Sequence, residues 1–427
     1  IKSNRLGPHS KGDDTRSEEE INLIKINDTL EKSITKHKDP TEIDILRKKS
    51  KKFIDDIFRE CLEEKLNTKP NKEIILDQPQ ELKINNDKIL SNISSKRFSE
   101  IINETLNNLF SKNKDLILIG EDILDPYGGA FKISKGLSEK YPSRVFPSPI
   151  SEAGIIGFAT GMAMQGLKPI VEIMFGDFLG LGFDQILNNA SKFRHMYNNQ
   201  VKVPLIIRTP MGGRRGYGPT HSQSIEKHFL GIEGLNIFAL NTFQDIKNIY
   251  DIALVSDEPS LIIENKIDYS FIAKKVHQGK YNDFFIKHSP YSSDYNLSFS
   301  LTNFEEDEGT IICYGGMLNI TLDSIKKLYI EEEISYRVVC IGKISPLNIK
   351  LLLTNITQSG KVICIEENTS NFSVSSEICF ELSKLKKYEF IDKIGAKSSI
   401  IPSSYHKEKE ILLDEEKIFN YLKKLAK

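Results

Sequence analysis

The sequence predicts an α/β protein in which a parallel sheet is covered on both faces. The first observation is that short apolar runs alternate with helical segments between residues 97 and 285. The second is that these runs are almost continuously hydrophobic, which is typical of buried parallel strands. The third is that a smaller region, residues 301–427, repeats the pattern. We predict strands at Leu116–Ile119, Pro169–Met174, Pro204–Arg208, Asn236–Ala239, Leu261–Ile263, Thr310–Tyr314, Arg337–Ile341 and Lys361–Glu366.

Length, charge and cysteine content narrow the class of protein. The 427 residues predict two or three domains with ample core. A formal net charge of −1 provides no global attraction to nucleic acid or membrane surfaces. The sequence has no run of about 18 apolar residues, so we expect no transmembrane helix. The five cysteines are scattered without metal-ligand spacing, which predicts reduced cysteines in a cytoplasmic protein.

The stretch Pro149–Gly157 predicts the start of a helix that carries a carboxylate. Pro149 interrupts regular structure, and Ser151 can cap a helix by accepting a hydrogen bond from a free backbone N–H. Glu152 then lies in the first turn, where the helix dipole favours negative charge, and Gly166 is a natural left-handed end. A first-turn glutamate also occurs merely as a complement to the dipole, so this stretch alone leaves both interpretations open.

Three segments with candidate site residues directly follow predicted strands. Glu121 follows the first strand, residues 175–178 follow the second, and the glycine-rich loop Gly212–Gln223 follows the third. Because the carboxyl ends of parallel strands meet at one edge of a sheet, we expect these segments to converge there. The glycines let the loop fold tightly and place the imidazole of His221 over a pocket.

Three motifs together resemble one family. They are Gly120-Glu121-Asp122, then Ile150-Ser151-Glu152, then the loop that ends in Thr220-His221-Ser222-Gln223. With the residues around them, from about Arg97 to Asn265, the chain resembles the β subunit of the E1 component of 2-oxo acid dehydrogenase complexes. These are thiamine-diphosphate enzymes of the transketolase-like superfamily.

The resemblance implies a division into domains. Residues 97–285 would form the thiamine-diphosphate pyrimidine-binding domain, and residues 301–427 a transketolase C-terminal-like α/β domain used for assembly, with residues 286–300 as a linker. Residues 1–70, an N-terminal helical tail, resemble the C-terminal end of a branched-chain E1 α subunit, joined through a linker at 71–96. We therefore expect a fused α–β polypeptide whose first part precedes Ile1.

The α-like segment contributes further expectations. In an R-x-G-x-H-S loop of that family, the arginine and histidine contact the cofactor diphosphate, which implies this role for Arg5 and His9. The Mg²⁺ ligands of the family belong to a G-D-G motif, which we expect upstream of this chain. A helical pattern extends to about Leu66, and its apolar stripe must dock on another surface; the stripe comprises Leu46, Phe53, Ile57 and Cys61.

The resemblance also assigns roles at the predicted edge. Glu152 would hydrogen-bond N1′ of the aminopyrimidine, and Glu121 would support it. Phe178 would stack on the pyrimidine, with Phe175 as a neighbouring candidate. His221 and His9 would be the two active-site histidines, and His221 would transfer protons while the lipoyl group is acylated. From the residues alone, Glu121 also suits a capping role and the phenylalanines also suit a core.

Two further assignments rest on weaker signals. Arg214 and Arg215 could bind the substrate carboxylate or contact the acyl-carrier domain. The family also binds a structural K⁺ through backbone carbonyls, which implies a possible site at Leu205, Ala253, Ser256 and Glu258.

The implied activity is oxidative decarboxylation of a branched-chain 2-oxo acid, 3-methyl-2-oxobutanoate, with acyl transfer to the lipoyl group of an E2 acyltransferase. The implied cofactors are thiamine diphosphate and Mg²⁺, with K⁺ as a further candidate, and the implied assembly is a homodimer of fused chains. A pyruvate or acetoin dehydrogenase E1 and a transketolase-type enzyme are the alternatives. A chain that dimerises and binds nothing tightly is a third, non-enzymatic alternative.

Overall fold

A computed structural model describes residues 16–36, 39–63, 96–274, 279–288, 295–358 and 360–426. The chain divides into two compact units, Ile1–Gln80 and Glu81–Lys427. The predicted site residues Arg5 and His9 and almost all of the predicted linker 71–96 lie outside the described residues.

The first unit is helical where it is described. Its helices are α1 (Glu18–Ile26), α2 (Thr29–Thr35) and α3 (Pro40–Glu63). The side chain of Ser17 caps α1 by accepting a hydrogen bond of 3.2 Å from the backbone N–H of Glu20. Helix α3 confirms the predicted long helix, and its apolar side chains Leu46, Phe53 and Ile57 are exposed. What this stripe contacts stays a prediction.

The second unit is α/β, as predicted. Its described helices are α4 (Phe98–Lys112), α5 (Leu137–Lys140), α6 (Glu152–Met164), α7 (Phe193–Met196), α8 (Ile246–Val255), α9 (Met317–Glu332), α10 (Ile349–Leu353), α11 (Val374–Ser383), α12 (Tyr405–Ile411) and α13 (Glu415–Ala426). Its described strands are β1 (Leu116–Gly120), β2 (Val145–Pro147), β3 (Lys168–Glu172), β4 (Ile206–Met211), β5 (Asn236–Ala239), β6 (Ser260–Asn265), β7 (Lys280–Tyr281), β8 (Phe284–His288), β9 (Leu297–Ser300), β10 (Gly309–Tyr314), β11 (Arg337–Ile341), β12 (Lys343–Ser345), β13 (Lys361–Ile365) and β14 (Phe390–Ile394). In the described part of the chain, no helix is long and apolar enough to cross a membrane.

The first sheet has seven strands in the order β12-β5-β6-β4-β3-β1-β2. Strands β1 to β6 are parallel wherever they pair with one another, which confirms the predicted parallel sheet. Strand β12 is antiparallel to β5 and comes from the C-terminal half of the chain. The sequence analysis missed it because three residues are too few to show a strand pattern.

The second sheet also has seven strands, in the order β14-β13-β10-β11-β9-β8-β7. Four of them are parallel, and β7, β8 and β9 extend this sheet as antiparallel strands. The predicted linker 286–300 is therefore wrong for residues 286–288 and 297–300, which lie in β8 and β9. Its polar composition was misleading because Ser298 and Ser300 are buried in strand β9, and the hydroxyl of Ser300 donates to Asp307 over 2.9 Å.

Apolar helix faces cover the first sheet on both sides. Helix α6 packs Ile156 and Ala159 into the same buried cluster as Val171 and Ile207 of the strands. Helices α4 and α8 cover the other face with Ile102, Leu106 and Ile249. The cluster beneath α6 continues into the second sheet through Ile312 and Val339. The two sheets consequently share a hydrophobic core.

A buried ion network joins the three central strands of the first sheet. Arg208 of β4 has no exposed surface, and its guanidinium contacts Glu172 of β3 and Glu264 of β6, each at 2.5 Å. The hydroxyl of Tyr269 donates to Glu264 over 2.5 Å, and that of Tyr250 over 3.1 Å. Because every charge in the network has partners, the network holds β3, β4 and β6 in register close to their carboxyl ends.

Candidate active site

Helix α6 begins and ends as its local sequence predicts. The hydroxyl of Ser151 accepts a hydrogen bond of 3.2 Å from the backbone N–H of Gly154. Glu152 is the first helical residue and is buried, with 6% of its surface exposed. Gly166 follows the helix with a φ of +89°, a left-handed conformation that glycine adopts without strain. The cap and the glycine therefore set the position of the Glu152 carboxylate.

Two buried carboxylates meet at the carboxyl end of β1. Glu121 is 8% exposed, and burial raises its pKa, with a further increase from the negative charge of Glu152. A hydrogen bond from the backbone of Ser151 opposes this shift. Within the described residues, Oε1 of Glu121 is buried and has no hydrogen-bond partner. A buried oxygen without a partner is unfavourable, so this position suits a polar ligand group.

Aromatic rings lie at the same edge, around His221. The imidazole centroid is 4.8 Å from the ring of Phe175 and 5.2 Å from the ring of Phe178, both in edge-on geometry. The two phenylalanine rings are themselves 5.8 Å apart. The structure thus brings both candidate aromatics against the predicted histidine. Phe178 remains partly exposed and can offer a flat apolar surface.

The glycine-rich loop is closed by contacts at both ends. The backbone N–H of Gly212 donates to the carbonyl of Gln223 over 3.2 Å. Gly212 has a φ of +92°, and a Cβ atom there would lie 2.7 Å from Nδ2 of Asn265, so both conformation and space require glycine. At the other end, the side chain of Gln223 donates to Asp177 over 2.8 Å, and the hydroxyl of Thr220 lies 3.0 Å from Nδ1 of His221.

Lys266 is a site residue that the sequence analysis missed. It is fully buried, its ammonium donates to the carbonyl of His221, and it lies 5.2 Å from the ring centroid of Phe175. Burial lowers its pKa to about 8, although the negative charges of Asp177, Glu367 and Glu408 oppose this change. The residue directly follows β6, which neighbours β4, so the rule that placed the other segments at this edge also applies to it.

Arg214 and Arg215 contact different parts of the chain. The guanidinium of Arg214 pairs with Glu367 and donates to the carbonyl of Leu413 over 2.9 Å. That of Arg215 donates to the carbonyl of Lys266 over 2.9 Å. Arg214, a candidate for binding the substrate carboxylate, is therefore already engaged by the C-terminal half of the chain.

The candidate K⁺ ligands lie away from this edge, where β4 and β6 begin. The carbonyl of Leu205 accepts a hydrogen bond of 2.8 Å from Ser260, and the side chain of Glu258 pairs with Arg194 at 3.1 Å. Ala253 lies within α8, and Ser256 caps its end. No group of three or more His, Cys, Asp or Glu side chains in the described ranges is arranged to hold a metal ion.

Two family models match the second unit. "Transketolase, pyrimidine binding domain" matches residues 94–271, and "Transketolase, C-terminal domain" matches residues 302–418. The chain is 30% identical over 296 residues to the pyruvate dehydrogenase E1 component subunit beta-2, mitochondrial, of Oryza sativa subsp. japonica, covering 69% of this chain and 75% of that protein. The chain belongs to the transketolase-like family of 2-oxo acid dehydrogenase E1 β subunits.

Other members of the family differ in substrate. The 2-oxoisovalerate dehydrogenase subunit beta of Bacillus subtilis (strain 168) is 28% identical over 336 residues, covering 77% of this chain and 98% of that protein. The acetoin:2,6-dichlorophenolindophenol oxidoreductase subunit beta of Cupriavidus necator is 28% identical, covering 66% of this chain and 82% of that protein. The sequence identities to the pyruvate, 2-oxoisovalerate and acetoin proteins are similar, so they do not decide which substrate this chain uses.

The solved structure of "Split gene transketolase, inactive beta4 tetramer" shares the fold. Its TM-score is 0.55 at 20% identity, and the match covers 76% of this chain and 96% of that one. This likeness supports the transketolase-like architecture of the second unit.

The E1 family implies thiamine diphosphate, and the site residues fit its aminopyrimidine. The unpartnered Oε1 of Glu121 and the nearby carboxylate of Glu152 offer acceptors for the polar edge of the ring. Phe178 offers an apolar surface for its face. This half of the site therefore suits the pyrimidine end of the cofactor.

Proposed function

We propose that this protein carries out thiamine-diphosphate-dependent oxidative decarboxylation of a 2-oxo acid and transfers the acyl group to the lipoyl group of an E2 acyltransferase. The observation that carries the proposal is the buried Glu152 at the start of α6, next to Glu121 and at the same sheet edge as His221. Bound thiamine diphosphate would supply the carbon nucleophile and electron sink that this decarboxylation requires.

Glu152 would hold a proton at N1′ of the aminopyrimidine. A carboxylate in the first helical turn is held rigidly by the cap at Ser151 and favoured by the helix dipole. Glu121 would support it as a neighbouring carboxyl group whose pKa is raised by burial and by the negative charge of Glu152.

His221 would exchange protons with the lipoyl sulfur atoms. Its Nδ1 is engaged by Thr220, which assigns proton exchange to Nε2. The rings of Phe175 and Phe178 restrict the imidazole from two sides. A histidine in a fixed orientation is suited to general acid–base catalysis.

The substrate and the partners extend the proposal. We favour a branched-chain substrate, 3-methyl-2-oxobutanoate, because residues 1–70 resemble the end of a branched-chain E1 α subunit. That segment would bring Arg5 and His9 to the cofactor diphosphate in a dimer of fused chains. Mg²⁺, whose ligands we do not assign to this chain, would bind the same diphosphate. A K⁺ ion near Leu205 would have a structural role. The buried free cysteines of the second sheet support a cytoplasmic location.

The test uses the full-length protein with thiamine diphosphate and Mg²⁺, and ferricyanide as electron acceptor. Turnover of 3-methyl-2-oxobutanoate and of pyruvate is compared for the wild type and for Glu152→Gln. We expect the substitution to lower turnover by about 100-fold or more, because glutamine cannot take up a proton. Glu377→Gln is the matched control, since Glu377 is also a first-turn glutamate but is exposed on α11.

The outcomes separate the alternatives. Preference for the branched acid supports the whole proposal, whereas preference for pyruvate keeps the mechanism and replaces the substrate. Full activity of Glu152→Gln would refute the role of Glu152. Cofactor binding without turnover of either acid would favour the transketolase-type alternative, which sugar phosphates would then test.

A further inference from the structure

The glycine-rich loop folds around a carboxylate from the C-terminal half of the chain. Glu408 of α12 is fully buried, and its two oxygens accept hydrogen bonds from the backbone N–H groups of Arg214 at 3.0 Å and of Gly216 at 2.8 Å. Backbone N–H groups that converge on one carboxylate in this way form a concave anion site, which favours negative charge at its centre. Glu408 supplies that charge from 194 residues away.

The loop has a strained conformation at the same place. Arg214 has a φ of +68°, in the left-handed region that disfavours residues with a Cβ atom. Such a conformation persists only where the surroundings enforce it. The hydrogen bond from the backbone of Arg214 to Glu408 is one such constraint. Without the carboxylate of Glu408, the loop would lose the partner that stabilises this turn.

A second carboxylate, that of Glu367, holds the start of the loop. It accepts a hydrogen bond of 3.2 Å from the backbone N–H of Gly213 and another of 2.6 Å from the side chain of Asn265. It also pairs with the guanidinium of Arg214. Glu367, which lies just after β13, and Glu408, which lies on α12, therefore both hold the loop that follows β4 of the first sheet.

Hydrogen bonds connect this part of the loop to His221. Arg215 donates to the carbonyl of Lys266, and the ammonium of Lys266 donates to the carbonyl of His221. The backbone N–H of His221 donates to Gly218 over 3.3 Å. A displacement at residues 213–216 would thus shift the imidazole relative to Phe175, and small displacements of catalytic groups lower rates strongly.

We infer that Glu408, with Glu367 beside it, is a positioning residue that holds the loop in the conformation that places His221 for acyl transfer. The inference rests on the proposed function, because it assigns His221 to the lipoyl step. It extends the role of the C-terminal domain, which the sequence analysis expected to serve assembly. That domain acts on the site through the loop.

Glu408→Gln tests the inference. Glutamine keeps the size of the side chain but removes its charge and turns an N–H group toward a backbone N–H donor. Two rates are measured on the full-length protein: 2-oxo acid oxidation by ferricyanide, and acyl transfer to an isolated lipoyl domain of E2. We expect acyl transfer to fall about 10-fold more than ferricyanide-linked oxidation.

Amide hydrogen exchange of residues 212–223 gives a readout that does not depend on activity. We expect Glu408→Gln to accelerate exchange in this segment, because its N–H donors lose an anionic acceptor. Glu410→Gln is the matched control on the same helix, since Glu410 is exposed, and it should change neither the rate ratio nor the exchange. Arg214→Gln, which removes the pair with Glu367, should give a smaller change of the same kind.

The results distinguish this inference from the proposed function. A parallel fall of both rates, or unchanged rates and exchange, in Glu408→Gln and Arg214→Gln would overturn the positioning role. If Glu408→Gln does not fold, Arg214→Gln decides by the same criteria. If the wild type oxidises no 2-oxo acid, the proposed function fails, and faster loop exchange in the variants would then show only that the carboxylates hold the loop.

Discussion

Replacing Glu226 by glutamine should reduce the pH dependence of the stability of this protein. Glu226 lies in a short 3-10 turn after the glycine-rich loop, and its Oε1 is 2.7 Å from the hydroxyl of Tyr314. The same hydroxyl lies 3.0 Å from Oε2 of Glu366. A tyrosine hydroxyl has one proton and can donate to only one of these carboxylates. The other carboxyl group must carry a proton itself to complete the chain of hydrogen bonds.

We assign this proton to Glu226. Burial raises its pKa from 4.5 to about 7, with further increases from Glu366 and Glu367, while the hydrogen bond from Tyr314 opposes the shift. Because the folded-state pKa is the higher one, the folded protein binds more protons than the unfolded chain between these values. The stabilisation is therefore present at low pH and is lost as the pH rises from 4.5 to about 7. At about 1.4 kcal/mol per pH unit, the loss between about pH 5 and pH 7 is about 2 kcal/mol.

The assay is denaturant unfolding of the wild type and Glu226→Gln from pH 5 to pH 8. Glutamine is neutral throughout and can donate to Tyr314, so the variant should lose about 2 kcal/mol less of its free energy of unfolding than the wild type. Burial also raises the pKa of Asp268 to about 7, but Asp268 is present in both proteins and cancels in the comparison. Glu233→Gln is an exposed control. Equal pH slopes for the wild type and Glu226→Gln would refute the proton assignment.

Two other substitutions probe the scaffold of the site. Arg208→Met should lower the free energy of unfolding by about 3–5 kcal/mol, because it leaves Glu172 and Glu264 buried without their cation. Denaturant unfolding measures this free energy. A loss below about 1 kcal/mol would contradict the prediction. Ser151→Ala should cost about 1 kcal/mol through the lost cap of α6, and a change no larger than that of the exposed control Ser383→Ala would count against the capping role.

Local signals predicted the elements that carry Glu152 and the first sheet. The start of α6 depends on a cap and the end on a glycine, and both act within a few residues. The strands Asn236–Ala239 and Arg337–Ile341 agree with the predicted bounds, and the others differ by a few residues at their ends. Apolar runs between turn signals are sufficient for such predictions because burial of a parallel strand leaves a continuous hydrophobic pattern.

The linker assignment at 286–300 failed for a physical reason. The strands there join the second sheet by antiparallel pairing, and Ser298 and Ser300 are buried polar residues. Buried hydroxyls are accommodated where hydrogen bonds satisfy them. The partner of Ser298 is Asn355, which is 57 residues away along the chain. From composition alone, such a polar strand is predicted to be exposed to solvent.

The sequence by itself determined the α/β class, the edge where the site lies and the family motifs around Glu121, Glu152 and His221. Only the tertiary structure decided how these residues are supported. The pairing of Arg208 between two glutamates, the burial of Lys266 and the insertion of Glu408 into the loop join residues that are distant along the chain. Caps and hydrophobic runs act between residues close in sequence, whereas these charge contacts form only when distant segments of the chain pack together.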